Sequence, residues 1–446
     1  MKPLRACVAL LCLALVGAVL PATVTSAAIA EAGTYYSVAT TRLLDTRNAT
    51  GAPNAPLGQA DSLDFQVTGR GGVPVTGAAA VVVNITVTGA TAGGFVSVYP
   101  SGSVRPGVSS INFVKGVTRA NGATVTLGAG GKLAVYNNSG TTEVIVDVLG
   151  YYASSAIATA SGAEFDTYAP DRLHDTRGDV EGPLAAQDIL SLYVDFADGA
   201  ANGFIRALAV NITAVGAEGS GYLTAFDGGA TQPTTSTLNY SAPAAIANTA
   251  VVKTSLCTTC PGDGPDPVQF AVYNGSAGKV HVIVDLVGIY FDDGSVGFRF
   301  APVTPQRISD SRKSLNGRPL AAAQTQVLTA SSAVATSNTA ALVGNVTAIQ
   351  PTASTYLTLW EGVASRPGVS NLNAPAGATA ANGAVIALSE ANTFKIFNNA
   401  GTTNFAIDVS GRFDLGPATS AARLASRGSI FSDATTSSRR SAAVGR

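Results

Sequence analysis

The chain has 446 residues, of which 12% are charged and 46% hydrophobic, and its formal net charge is −1. This balance excludes a basic nucleic-acid binder, whose phosphate footprint needs clustered Lys and Arg, and a disordered chain, which is rich in charge and poor in apolar residues. Two His, one Met and four Cys leave few groups for metal or nucleophilic chemistry.

Residues 1–30 read as a secretory signal peptide. Lys2 and Arg5 form its positive start, residues 6–20 are an apolar run too short to span a bilayer comfortably, and small residues after Pro21 place cleavage near Ala28 or Ala30. Cys7 and Cys12 fall inside this segment, so the mature chain holds only Cys257 and Cys260. In an exported protein that pair is expected as a local structural disulfide. A redox Cys-x-x-Cys needs a βαβ setting, and a zinc site needs ligands that the chain lacks. No later stretch is long and apolar enough to span a membrane, so the expectation is a secreted or cell-surface protein.

Beyond the leader, one unit is written three times. Each copy opens on Arg-x-x-Asp-Thr/Ser-Arg: Arg42 to Arg47 around Asp45, Arg172 to Arg177 around Asp175, and Arg307 to Arg312 around Asp310. An Asn-Ile/Val-Thr segment comes next, at Asn84, Asn211 and Asn345. A second Asn stands 28 residues later (Asn112, Asn239, Asn373) and a third nine residues beyond it (Asn121, Asn248, Asn382). A fourth comes after an aromatic residue, in Tyr136-Asn137, Tyr273-Asn274 and Phe397-Asn398, and each copy closes on a strand carrying Asp147, Asp285 or Asp408 and ending in Gly. The interval from third to fourth Asn is 16 residues in copies one and three but 26 in copy two, and the excess holds both cysteines.

A repeat of about 120 residues is a domain rather than a solenoid unit. The divisions expected are 31–153, 165–291 and 298–416, then a flexible basic tail at 417–446. In copy one, segments 62–67, 78–88, 94–99, 109–114, 123–127, 132–137 and 142–152 are rich in Val, Ile, Thr and aromatics, with Gly, Asn, Ser and Pro between them. Seven or eight such strands predict an antiparallel sandwich or barrel. The fold expected is therefore all-β: three tandem jelly-roll-like β-sandwiches.

Alternation along residues 81–88 puts Val81, Val83, Ile85 and Val87 on a core face. Val82, Asn84, Thr86 and Thr88 fall on a polar, partly exposed one. The closing strand is apolar on both faces, so Asp147 is expected to be buried and to need a partner. The candidate partners are the second arginines of the opening motif, giving the pairs Arg47–Asp147, Arg177–Asp285 and Arg312–Asp408, with guanidinium meeting carboxylate bidentately. The repeated Asp and Asn residues have two readings, as ligand contacts of a sugar-binding kind or as keystones of the fold; being common to all copies, they favour the second.

Enzyme chemistry has little support. His174 aligns with Leu44 and Ser309, and His281 with Glu143 and Asn404, so neither is required by the unit. There is no Gly-x-Ser-x-Gly elbow, no His-Glu-x-x-His and no phosphate loop. No catalytic, metal or cofactor site is expected.

The order Arg-Leu-Leu-Asp-Thr-Arg, Asn-Ile-Thr-Val-Thr, Tyr-Pro-Ser-Gly, Ile-Asn-Phe, Ala-Asn-Gly, Tyr-Asn-Asn-Ser-Gly and Val-Asp-Val-Leu-Gly-Tyr-Tyr resembles the β-rich repeat domain of secreted actinobacterial proteins. The resemblance covers almost all of the chain after the leader and is strongest over 42–152. It implies an exported, non-catalytic module that stands alone or accompanies hydrolases. Copy three departs from it at Ser311 and Ala374, and copy two at Phe226-Asp227, where copy one has Tyr99-Pro100. The function expected is adhesion or binding of cell-envelope glycan or polymer, without nucleic acid or cofactor. The alternatives are a self-associating surface-layer or matrix protein and, below it, a secreted hydrolase.

Overall fold

The computed structural model describes residues 32–154, 162–196, 199–243, 245–260, 265–294, 297–416 and 434–442, the last as backbone. The expected signal peptide lies outside the described residues.

The first sandwich is built from β1 (Tyr35–Asp45), β2 (Ser62–Gln66), β3 (Ala78–Thr88), β4 (Gly94–Pro100), β5 (Ile111–Phe113), β6 (Arg119–Thr126), β7 (Lys132–Asn137) and β8 (Glu143–Ala153). Its two antiparallel sheets run β1-β8-β3-β6 and β2-β7-β4-β5, an eight-stranded jelly roll. Strand β1, which carries the opening motif, is an addition to the strands read from sequence. Its alternation is broken by register shifts between Ser37 and Thr41 and between Arg42 and Leu44, which erase a two-residue pattern.

The second sandwich repeats this with β9 (Glu164–Asp175), β10 (Asp188–Phe196), β11 (Ile205–Val215), β12 (Gly221–Asp227), β13 (Leu238–Tyr240), β14 (Ile246–Lys253), β15 (Ser255–Leu256), β16 (Val268–Asn274) and β17 (His281–Phe291). The extra β15 pairs with β16 beside the inserted loop, and a Cys257–Cys260 disulfide closes a turn there, with a Cα–Cα distance of 5.5 Å. The third has β18 (Phe298–Asp310), β19 (Gln324–Thr329), β20 (Thr339–Ile349), β21 (Thr355–Glu361), β22 (Leu372–Ala374), β23 (Ala380–Ala387), β24 (Thr393–Asn398) and β25 (Asn404–Leu415). Within the stretch expected to be a flexible tail, β26 (Ala434–Ala442) pairs antiparallel with the free edge of β10. The correction has a simple cause: an edge strand offers unpaired N–H and C=O groups to any extended segment, whatever its side-chain pattern.

Each sandwich fills its interior with its own aliphatic core, such as Val81, Val83, Ile85 and Val87 with Phe65 and Leu133 in the first. A fourth apolar cluster belongs to no single sandwich. It joins Tyr35, Tyr152, Phe165, Tyr290, Phe300 and Phe413 with Val82, Ala209 and Val343. The face of β3 expected to be partly exposed is therefore buried: Val82 is 5%, Asn84 3% and Thr86 2% accessible. Alternation identified the two faces correctly; the neighbouring sandwiches decide what covers the polar one.

Contacts between sandwiches recur cyclically. Tyr35 of the first packs on Tyr290 of the second at 4.4 Å, Phe165 of the second on Phe413 of the third at 4.0 Å, and Phe300 of the third on Tyr152 of the first at 4.3 Å. One chain thus forms three lobes about a pseudo-threefold axis. Glycines of the closing strands make room for this plug, because a Cβ at Gly150, Gly288 or Gly411 would run into the ring of Tyr35, Phe165 or Phe300. The second and third inner sheets also meet edge to edge through Phe298 and Phe165.

Candidate functional site

Two of the four repeated asparagines hold the three lobes together. The third Asn of each copy lies where edge strands β6, β14 and β23 converge on the axis. Asn121 Nδ2 donates to Asn345 Oδ1 at 3.0 Å, Asn248 Nδ2 to Asn84 Oδ1 at 2.9 Å, and Asn382 Nδ2 to Asn211 Oδ1 at 2.9 Å, each bond linking two sandwiches. Their Oδ1 atoms accept from the backbone N–H of Gly383, Gly122 and Thr249, at 2.8, 2.8 and 3.0 Å respectively, again across lobes. The first Asn of each copy completes the ring: Asn84, Asn211 and Asn345 donate to the carbonyls of Ser236, Ser370 and Ser109. An amide suits this place because it donates and accepts in one plane, so a buried ring can satisfy itself without charge.

The fourth Asn acts within its own sandwich. Asn137 Nδ2 donates to the carbonyls of Leu57, Gly58 and Gly140, and Asn274 and Asn398 do the same with Leu184, Ala185 and Gly278 and with Leu320, Ala321 and Gly401. Each therefore ties the approach to the second strand to the turn after the seventh.

The charged motif corrects the expected pairing. Asp147, Asp285 and Asp408 are bonded by the first arginine of the motif, not the second: Arg42 Nε to Asp147 at 2.9 Å, Arg172 Nε to Asp285 at 2.8 Å and Arg307 Nε to Asp408 at 2.8 Å. The same arginines reach Asp45, Asp175 and Asp310 through Nη1. Arg47, Arg177 and Arg312 grip only those motif aspartates, at 2.8, 2.6 and 2.7 Å. Register explains the choice, since Arg42, Arg172 and Arg307 stand directly across from the closing Asp in the ladder, while Arg47, Arg177 and Arg312 lie past the strand, in the turn. Each copy thus holds a chain of alternating charge, closing Asp, first Arg, motif Asp, second Arg.

These carboxylates differ in acidity. Hydrogen bonds from Arg177 and Arg312 hold Asp175 and Asp310 down at about 2. Burial pushes the closing aspartates upward, and Asp285 reaches about 6. In copy two the Asp285 Oδ2 atom has no hydrogen-bond partner, whereas in copy three Arg307 bonds both oxygens of Asp408. Because folded Asp285 keeps its proton to higher pH than the unfolded group, the folded state binds more protons between about pH 4 and 6, and stability falls as pH rises through that window. Thermal melts are expected to show this fall, on the order of 2–3 kcal/mol at its upper bound, and Asp285→Asn is expected to flatten it. An unchanged slope in that variant would refute the assignment.

The histidines occupy structural positions. His281 Nδ1 meets Thr176 Oγ1 at 3.1 Å, as Glu143 meets Thr46 and Asn404 meets Ser311 in the other copies. His174 Nε2 lies 3.0 Å from Asp179. Among the described residues, no group of three or more His, Cys, Asp or Glu side chains could hold a metal ion.

The outer sheets carry a recurrent aromatic pair, partly exposed except for the buried Phe397. In each lobe an aromatic near the start of the fourth strand stands beside one on the strand before the fourth Asn: Phe95 and Tyr136 at 6.3 Å, Tyr222 and Tyr273 at 6.3 Å, and Tyr356 and Phe397 at 6.2 Å. The second Asn belongs here, since Asn112, Asn239 and Asn373 are the ladder partners of Phe95, Tyr222 and Tyr356. Arg105 stacks over Tyr136 at 4.1 Å and Arg366 over Phe397 at 3.8 Å. The aromatic–Asn dipeptides are visible in the sequence, but there only their Asn stands out. Phe95, Tyr222 and Tyr356 emerge as partners only from the pairing of nonadjacent strands.

No family model matches the chain, and no curated protein matches it. Among solved structures it is similar to one described as "Life in the extremes: atomic structure of Sulfolobus Turreted Icosahedral Virus", at 10% identity over 86% of this chain and 92% of that one, with a TM-score of 0.17. A second, "The Triple Jelly Roll Fold and Turret Assembly in an Archaeal Virus", is similar at 11% identity over 87% and 97%, with a TM-score of 0.16.

Proposed function

We propose that the protein is a secreted, non-enzymatic binding module of the actinobacterial repeat type, which engages cell-envelope glycan or wall polymer through the partly exposed aromatic residues of its three outer sheets. One observation carries this reading. Across three diverged copies, the other polar residues common to the unit are consumed by the axis, the turns and the Asp–Arg chains, while a partly exposed aromatic with an Asn beside it recurs on every outer sheet. An aromatic face meets the C–H face of a sugar ring, and an amide can both donate to and accept from its hydroxyls. Three such faces held rigidly about one axis suit a polymer that repeats the same unit, because linked weak sites gain avidity through effective concentration.

The full chain is expected to be retained on isolated cell walls. Replacing Tyr136, Tyr273 and Tyr356 together by Ala is expected to weaken retention by about 10²-fold or more, and each single change much less, since avidity is lost multiplicatively. Equal retention of the triple variant would overturn the reading. Sheets or filaments formed by the pure protein, without wall binding, would favour the self-associating alternative.

A further inference from the structure

We propose that the end of the pseudo-threefold axis opposite the aromatic plug is a binding site for a small carboxylate ligand with an apolar body, with Arg119 as its anion contact. The site is a shallow crevice to which all three lobes contribute. Its walls are largely apolar, including Phe113 of the first lobe, Ile246 of the second and Leu372 of the third, and no carboxylate lines it. Arg119, at the start of β6, has its Nη1 atom buried without any hydrogen-bond partner.

A buried N–H of a guanidinium left unpaired is costly, so the fold alone gives no reason for a cation here. The other copies show that none is needed: the positions equivalent to Arg119, two residues before the third Asn, hold Ile246 and Ala380. The charge therefore breaks the threefold pattern at a place where all three lobes border an open crevice. An incoming carboxylate would supply the missing acceptor, with the planar fork matching its two oxygens, and the apolar walls would take the rest of the ligand. Asn112 and Asn373, also in the lining, offer amides at the rim.

The test is calorimetric titration of the full chain with benzoate, its uncharged isostere benzamide and inorganic phosphate. Benzoate is expected to bind saturably, benzamide at least about tenfold more weakly, as expected for loss of a charge-assisted hydrogen bond, and phosphate more weakly than benzoate for want of an apolar body. Arg119→Met, which keeps an apolar stem, is expected to abolish benzoate binding while leaving the melting temperature unchanged or raised. Benzoate bound equally by Arg119→Met, or no better than benzamide, would overturn the proposal. Phosphate bound as tightly as benzoate would overturn the assignment of an apolar carboxylate. Asn112 and Asn373 border both settings, but Arg119 belongs to none of the aromatic pairs, so loss of benzoate binding in Arg119→Met and loss of wall retention in the aromatic variant are separate outcomes.

Discussion

Asn121→Ala is expected to destabilise the chain by about 3–6 kcal/mol, more than any single change on the outer sheets. The side chain is 1% accessible and serves three groups at once: the Ser110 carbonyl, Asn345 Oδ1 and the Gly383 N–H. Truncation leaves each of them buried without a partner, at about 1–3 kcal/mol apiece. Because two of the three lie in another sandwich, the loss falls on the junction between lobes. Denaturant unfolding, expected to be a single transition in the parent chain, is expected to broaden or split in the variant as the lobes separate before they melt. Asn112→Ala, whose Oδ1 accepts from Ser109 on the outer sheet, is the comparison and should cost about 1 kcal/mol or less. Similar effects from the two substitutions would mean that the ring does not bind the lobes.

Arg307→Ala is expected to cost about 3–5 kcal/mol and Arg312→Ala about 1 kcal/mol or less. Both belong to the same motif, and their order decides which arginine holds the closing strand. Arg307 lies between Asp408, 4% accessible, and Asp310, 0% accessible; without it, two buried carboxylates face each other with their shared cation gone. Arg312 is 44% exposed at its side chain and touches Asp310 from the solvent side. After its loss Asp310 keeps Arg307 and the backbone N–H of residue 312. Urea midpoints of the two variants provide the comparison, and a larger loss in Arg312→Ala would restore the pairing read from sequence.

The arginine pairing shows how far spacing can take a reading. Two arginines five residues apart flank one aspartate in every copy, and composition rightly marks both, with the closing Asp, as the few charges that every unit repeats. Selecting between them required the strand register, which two irregularities in β1 conceal. The outer faces met a similar obstacle. Phe95 and Tyr136 are far apart in sequence and become neighbours only because β4 and β7 pair.

The sequence by itself determined the unit: its threefold repetition, the all-β pattern and the inward faces of the strands. Periodicity and copy number are local properties, and burial of apolar residues tracks them wherever a sandwich forms. Which polar residues would be buried was decided only by the tertiary structure. Asn84, Asn121 and their counterparts look alike whether they turn a loop, touch a sugar or close a ring, because one amide serves all three chemistries. Packing three sandwiches on a common axis sent those asparagines inward and left Phe95, Tyr222 and Tyr356 partly exposed on the outer sheets, and at Arg119, where the threefold pattern breaks, it left one guanidinium N–H without a partner.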